Sequence, residues 1–342
     1  MRIMKFGLSI VSEKASFRRK LKTLFYVFGL PLFVAIVIRV FFVEVFIIPS
    51  PSMSPTLIPG DIIIVNKLRY GARLWVNDKT GIETRGLGYS SIKHNDIVVF
   101  NFPEADTIYR NRPDLNFYDY IGWQGREKAL HDTIEHGSLV YLPVKYRQPY
   151  VKRCIGLPGD TLMIFKNSVI VNDCCVKDPI GSWKHLQDSL KSNPLAFIKR
   201  EMIPVTKDIH SYNYFFPHYI DKQWDNNCYG PLYVPRKGKS VKLTYQNISK
   251  YKRIITAYEH NKLDTLRGEV YVNGIKTRTY FFKQNYYFMM GDNHFGSIDS
   301  RFWGFVPENH IIGKASLILC SWDDENESWF KFRTERILSI IH

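Results

Sequence analysis

A run of sixteen residues without a charge, 23–38, constrains this chain more than any other feature. Val40-Phe41-Phe42-Val43 and residues 45–49 prolong its apolar character, interrupted by Arg39 and Glu44. About twenty apolar residues in a helix cross a bilayer core, so 23–43 suffices if Arg39 snorkels to the far interface. Residues 1–22 hold seven Lys or Arg against the single acid Glu13. That basic flank predicts a cytoplasmic N-terminus, with everything after residue 50 on the other side of the membrane. A cleavable signal peptide is an alternative, but its apolar region is shorter and ends in small residues, unlike the Phe/Ile/Pro exit here. A buried core helix is a third reading, and it leaves the basic leader without a role.

The leader carries +6 of the net charge of +15, which leaves +9 on the rest. A basic domain outside the cytoplasm favours contact with anionic lipid headgroups. Nucleic-acid binding is the other standard inference from such a charge. No basic helix, zinc-finger spacing or RNP-like aromatic motif supports it, so no nucleic-acid partner is expected. The five cysteines (Cys154, Cys174, Cys175, Cys228, Cys320) form no C-x-x-C pair, which argues against a zinc site and leaves any disulfide open.

Past the anchor the chain reads as short strands and turns. Residues 61–65 and 96–100 are β-branched runs of the buried-strand type, and 161–165, 169–173, 268–274, 286–290 and 311–320 follow in the same style. There is no βαβ alternation and no fixed repeat. The expected fold is mainly β: an N-terminal transmembrane helix, then a mixed antiparallel β catalytic domain with a large inserted cap or side domain. The expected divisions are a basic leader (1–22), an anchor (23–48), a catalytic core (49–175 and 266–322), the insertion (176–265) and a C-terminal amphipathic tail (323–342). Residues 104–148 also look inserted, and a helix is expected near 241–261. The tail either lies on the membrane or docks onto the body.

Three stretches carry chemistry. In Ile48-Pro49-Ser50-Pro51-Ser52-Met53-Ser54-Pro55, flanking prolines stiffen a loop around Ser52. A serine needs a base to become a good nucleophile. No Gly-x-Ser-x-Gly elbow or triad histidine is evident, so a lysine is the economical partner. Lys152, in Tyr150-Val151-Lys152-Arg153-Cys154-Ile155-Gly156-Leu157-Pro158-Gly159-Asp160, must be neutral to take a proton. That requires a pKa depression of roughly 2–3 units, which burial can supply. If 149–155 is a strand, Tyr150, Lys152 and Cys154 share one face, while Val151, Arg153 and Ile155 share the other. Arg153 is then expected to point away and stay solvated, and a small thiol reagent at Cys154 is expected to slow catalysis. The third stretch, Gly291-Asp292-Asn293-His294-Phe295-Gly296-Ser297-Ile298-Asp299-Ser300-Arg301, is a polar glycine-rich loop between apolar strands. Asp292, Asp299 and Arg301 suit a scaffolding ion pair better than a metal site, since no His/Glu partner lies at ligand spacing.

Taken together, PSPSMSPTLIPGD, YVKRCIGLPGD and GDNHFGSIDSRFWGFVP, in this order after an anchor, resemble the type I signal peptidases of bacteria. The resemblance implies an endopeptidase of the bacterial cytoplasmic membrane, without a cofactor, that removes signal peptides from exported preproteins after small residues of the Ala-x-Ala kind. It implies Ser52 as nucleophile, Lys152 as general base, and an oxyanion hole from the Ser50 hydroxyl and the Ser52 N–H. Ser297 matches the residue that orients the lysine. Asp299 and Arg301 match a brace for the loop, and Gly291 and Asp292 its start near the lysine. His294, Phe295 and Gly296 depart from the Arg-Asp-Asn common there. A self-cleaving repressor on the same core, and a silent membrane receptor, are the rivals; the anchor and the intact Ser52, Lys152, Ser50 and Ser297 speak against both.

Overall fold

The computed structural model describes residues 19, 22–77, 82–165, 168–176, 215–218, 224–226, 228–323 and 332–342. Most of the basic leader, about half of the 176–265 insertion and residues 324–331 of the tail lie outside the described residues.

Helix α1 (Lys22–Phe42) is long and apolar enough to cross a membrane, and none of its apolar window is buried against the body. It stops abruptly. Phe42 ends the helical stretch and Val43 already has extended dihedrals (φ −136°, ψ 154°). Residues 43–47, which the apolar run conceals as a continuation of the anchor, are strand β1 (Val43–Ile47).

β1 is the edge of an eight-stranded antiparallel sheet with β2 (Asp61–Asn66), β3 (Ile97–Asn101), β4 (Pro149–Gly156), β5 (Tyr286–Met290), β6 (Val306–Pro307), β7 (Ile311–Ser321) and β8 (Ser339–Ile340). The order across it is β1-β2-β7-β3-β4-β5-β6, with β8 pairing β7. The sequence of β2, Asp61-Ile62-Ile63-Ile64-Val65-Asn66, alternates buried and half-buried side chains, as expected for a strand with only one face in the core. β3 and β5 are buried at every position, consistent with central strands covered on both faces.

Three apolar clusters fill the body. Ile48, Met53, Leu57, Ile63, Val65, Ile97, Val99, Ile312 and Ile341 pack under the Ser52 loop. Val98, Phe100, Cys154, Met289 and Trp303 pack on the other side of the sheet. The largest cluster joins β4 and β5 to a smaller sheet formed by Cys174–Cys175, Ser168–Val171, Thr161–Phe165 and Cys228–Tyr233, and to a helical stretch over Ile248–Tyr258 within the 241–261 expectation. Residues 107–141 form a further lobe, a three-stranded sheet with short helices.

The described part of the tail docks on the body. Arg336 forks onto the carboxylate of Asp61 and donates to the Thr56 carbonyl, β8 pairs with β7, and Ile341 is buried. All five cysteines are free thiols. Cys174 and Cys175 lie on one edge strand of the smaller sheet and Cys228 on the opposite edge.

Candidate active site

Ser52 is the middle residue of a one-turn 3-10 helix, Pro51–Met53. The turn is held by its neighbours: Met53 and Leu57 are fully buried, the Leu57 N–H donates to the Met53 carbonyl, and the Ser54 N–H to that of Pro51. From the opposite side Asn293 donates its N–H to the Ser52 carbonyl (3.1 Å) and its side-chain amide to that of Pro51 (3.3 Å). Two apolar plugs and two hydrogen bonds thus fix a half-buried hydroxyl.

Lys152 reaches that hydroxyl from β4. Its Nζ lies 2.6 Å from Ser52 Oγ, and Ser50 Oγ donates to Ser52 Oγ at 3.3 Å. The lysine is 4% exposed. Burial pushes its pKa down to about 8; the Asp299 and Asp292 carboxylates pull the other way, and the Arg301 charge assists the depression. With a pKa near that value roughly a tenth of the molecules hold a neutral amine at pH 7, against fewer than about one in a thousand for an ordinary lysine.

The loop after β5 supplies the frame. Helix α2 (Ser300–Trp303) is capped by Asp299, whose carboxylate accepts from the Arg301 N–H, from the Gly291 N–H (3.0 Å), and from Arg301 Nε and Nη2 at 2.8 Å each. Asp299 and Arg301 are both wholly buried. Burial, the largest single influence, would raise the Asp299 carboxyl, but the Arg301 charge and hydrogen bonds, with the Gly291 N–H and His294, together hold it below the usual carboxylate range. Arg301 also donates to the His294 carbonyl (2.6 Å) and to Asn226 (2.8 Å). His294, one of the departures from the common loop sequence, is a neutral ring beside this guanidinium. Burial first and the Arg301 charge second bring its pKa down to about 3.

Gly291 is required by close approach. A Cβ there would fall 2.1 Å from Ser297 Oγ and 2.4 Å from the Ser52 carbonyl oxygen. Ser52, Gly291 and Ser297 are therefore packed together, and any side chain at 291 displaces the Ser52 loop.

Three expectations need correction. Arg153 does not stay solvated: it is 2% exposed and forks onto Asp292 through Nε and Nη2, both at 2.7 Å, while Nη1 donates to the Asn95 carbonyl. Thr56 donates to the same Asp292 carboxylate. Asp292 thus pairs with Arg153, and only Asp299 pairs with Arg301. Neither Arg153 nor Thr56 stood out from the sequence as a site residue, although the Arg beside Lys152 was visible. Ser297 is buried as expected, but its hydroxyl makes no hydrogen bond to a protein group, so the expected bond to Lys152 is not formed. Cys154, expected to be open to a thiol reagent, is wholly buried, and burial raises its thiol pKa well above the ordinary value. No cluster of His, Cys, Asp or Glu suited to a metal occurs among the described residues.

A buried lysine amine held at 2.6 Å from a serine hydroxyl can take that hydroxyl's proton when it is neutral, and comparisons with known proteins give the chain's family. The family described as signal peptidase, peptidase S26, matches residues 21–322. Signal peptidase I of Buchnera aphidicola subsp. Schizaphis graminum (strain Sg) is 29% identical over 94% of this chain and 80% of its own length. Signal peptidase I of Pseudomonas aeruginosa PAO1 is 26% identical over 87% of this chain and 72% of its own. Among solved structures, a signal peptidase I from Enterococcus faecalis V583 aligns at 16% identity, covering 66% of this chain and 97% of that one, with a TM-score of 0.25, too low to bear on the fold. With the match running over residues 21–322, this chain belongs to the signal peptidase (peptidase S26) family, serine proteases that remove signal peptides from preproteins.

Proposed function

We propose that this protease works through a Ser52–Lys152 dyad at the surface of the bacterial cytoplasmic membrane, cutting after small residues of the Ala-x-Ala type. The observation that carries the reading is the 2.6 Å separation of Lys152 Nζ and Ser52 Oγ around an amine whose pKa is brought to about 8. Neutral Lys152 takes the Ser52 proton as Oγ attacks the scissile carbonyl. The ammonium returns the proton to the leaving amine, an acyl-enzyme remains on Ser52, and Lys152 then takes a proton from the water that releases it.

The oxyanion of each tetrahedral intermediate is met by the Ser50 hydroxyl and the Ser52 N–H. Ser50 is exposed and already 3.3 Å from the nucleophile. The first N–H groups of a helical turn such as Pro51–Met53 find no acceptor inside the turn, which leaves the Ser52 N–H available. Removing one such donor costs about 10²–10³ in rate, the loss expected for Ser50→Ala. Ser297, its hydroxyl buried against Gly291 without a protein partner, is retained as the lysine-orienting group, with the bond to the amine made when substrate fills the site. Asp299–Arg301 and Asp292–Arg153 brace the loop and the strand on which the dyad rests.

Helix α1 supports a single-pass anchor with a cytoplasmic N-terminus, from the basic leader, and an extracytoplasmic body whose positive charge suits anionic headgroups. The decisive experiment is cleavage of an Ala-x-Ala preprotein in detergent micelles by the full chain beside Ser52→Ala and Lys152→Ala. Cleavage by the parent alone, with the correct mature N-terminus, is the expected result. Activity persisting in Ser52→Ala would assign the nucleophile elsewhere, and a folded parent without activity would overturn the Ala-x-Ala specificity.

A further inference from the structure

The junction between α1 and the catalytic sheet is built around one residue that takes no part in the chemistry. Lys67 follows β2, and its side chain is 14% exposed. Its Nζ donates to the Arg39 carbonyl at 2.9 Å and lies 3.1 Å from the Glu44 carboxylate, while its backbone N–H donates to the Phe42 carbonyl at 2.9 Å. Arg39 and Phe42 belong to the last turn of α1, whose carbonyls have no following helical amide to accept from. At the edge of a bilayer an orphan carbonyl needs a donor from the protein, and a cation at a helix C-terminus is favoured by the helix dipole as well. One residue of the sheet therefore ties both the end of the helix and the start of β1, where Val43 pairs with Asn66 and Glu44 with Val65.

Lys67 is the residue whose side chain is seen to reach back to the helix end from the sheet side. The apolar window of α1 has no buried share against the body, so its angle to the sheet is set at the junction alone. There is no linker: extended backbone begins at Val43, directly after the helix. Without the Lys67 side chain, the helix end would lose its ties to Arg39 and Glu44 and be held at this joint by the single backbone bond from the Lys67 N–H to the Phe42 carbonyl, which leaves the helix freer to tilt.

We propose that Lys67 is a positioning residue that holds the catalytic body at one height and tilt over the bilayer, so that the enzyme measures the distance from a substrate's own apolar segment to its scissile bond. The inference rests on the membrane-anchored reading given above. Enzyme and substrate share one bilayer, and Ser52 stands ten residues beyond the end of α1, five of them in β1. With a fixed junction the scissile bond must rise to a fixed level. Each added extended residue in the substrate moves that bond by about 3.3 Å, and misplacement on the ångström scale is enough to slow chemistry.

The test uses the full chain in vesicles of phosphatidylethanolamine and phosphatidylglycerol. Preproteins with zero, three or six polar residues added between the apolar segment and the Ala-x-Ala site are compared with a soluble Ala-x-Ala peptide in detergent. For the parent, three added residues, about 10 Å of chain, are expected to lower cleavage about tenfold or more. Lys67→Met is expected to reduce that contrast to less than about threefold while leaving soluble-peptide turnover unchanged, and Lys67→Arg, which keeps a cation and donors, to restore it. If Lys67→Met fails to fold, a Gly-Ser-Gly insertion between Phe42 and Val43 frees the same joint and is expected to flatten the length dependence equally.

A parent indifferent to spacer length, or a Lys67→Met enzyme with the parent's length dependence and an unchanged insertion variant, overturns the proposal. Failure of the underlying reading looks different: a parent that cleaves neither peptide nor any preprotein, or a chain extracted from the vesicles by alkaline carbonate.

Discussion

Lys152 and Arg153 are neighbours on β4, buried to nearly the same degree and facing opposite sides of the sheet, yet they meet opposite kinds of partner. Arg153 is met by a carboxylate in fork geometry, with a carbonyl on its remaining nitrogen. Lys152 is met by a serine hydroxyl, and Asp292 and Asp299 act on it only at longer range, too weakly to cancel the effect of burial. A buried cation given a counter-ion serves as a brace; a buried amine denied one loses its proton more easily, which is what the proposed role of Lys152 as a base requires. The assignment follows each group's chemistry. An ammonium loses its proton at accessible pH when desolvated, whereas a guanidinium does not.

The sharpest way to break this contrast is Lys152→Arg. It keeps the charge and near-equal length but removes the titratable amine, and turnover is expected to fall by about 10⁴-fold or more in a protein that still folds. A folded, active arginine enzyme would end the distinction between the two faces. Next in size is Asp292→Asn. It leaves Arg153 buried without its counter-ion, at an expected cost of about 3–5 kcal/mol in denaturant-induced unfolding. A loss under about 1 kcal/mol would mean that the carbonyl and Thr56 contacts suffice.

Third is pH. The folded-state pKa of Lys152 is lowered, so protonated Lys152 opposes folding, and the penalty is fully present below about 8. It is relieved as pH rises from about 8 toward the unfolded value near 10.5. Its size follows from the shift, about 3 kcal/mol, and Lys152→Met is expected to gain up to that much stability at pH 7 and to lose the rise above pH 8. In the same range the parent's kcat/KM should climb with an apparent pKa near 8 as the base is freed. A flat profile between pH 7 and 9 would count against an amine base. The smallest effect belongs to Cys154, on the lysine face. A small maleimide should label exposed Cys174, Cys175 and Cys228 in the native enzyme without slowing cleavage, and reach Cys154 only on unfolding. Inactivation that tracks Cys154 labelling would mean that the dyad face opens more than its burial indicates.

Much of this site could be read from the chain because its parts are local patterns: a proline-stiffened serine, a lysine inside a strand, and a glycine-rich loop with Asp299 two residues before Arg301. What escaped was non-local. Alternation along β4 tells which side chains share a face, but not whether that face meets solvent, and the partner that buries Arg153 lies 139 residues away at Asp292. The same limit hid β1. Val45 and Ile47 are as apolar as the helix before them, and only pairing with β2 makes them a strand. The tail was undecided for a similar reason, since its anchor, Arg336 on Asp61, spans 275 residues.

The sheet order makes the proposed dyad depend on a strand that holds neither of its residues. The strand pair that leads into Ser52 and the strand that bears Lys152 are not adjacent; between β2 and β4 lie β7, residues Ile311–Ser321, and β3. Assembly of the proposed dyad therefore depends on β7, so a destabilising substitution within Ile311–Ser321 is expected to part Ser52 from Lys152 without touching either.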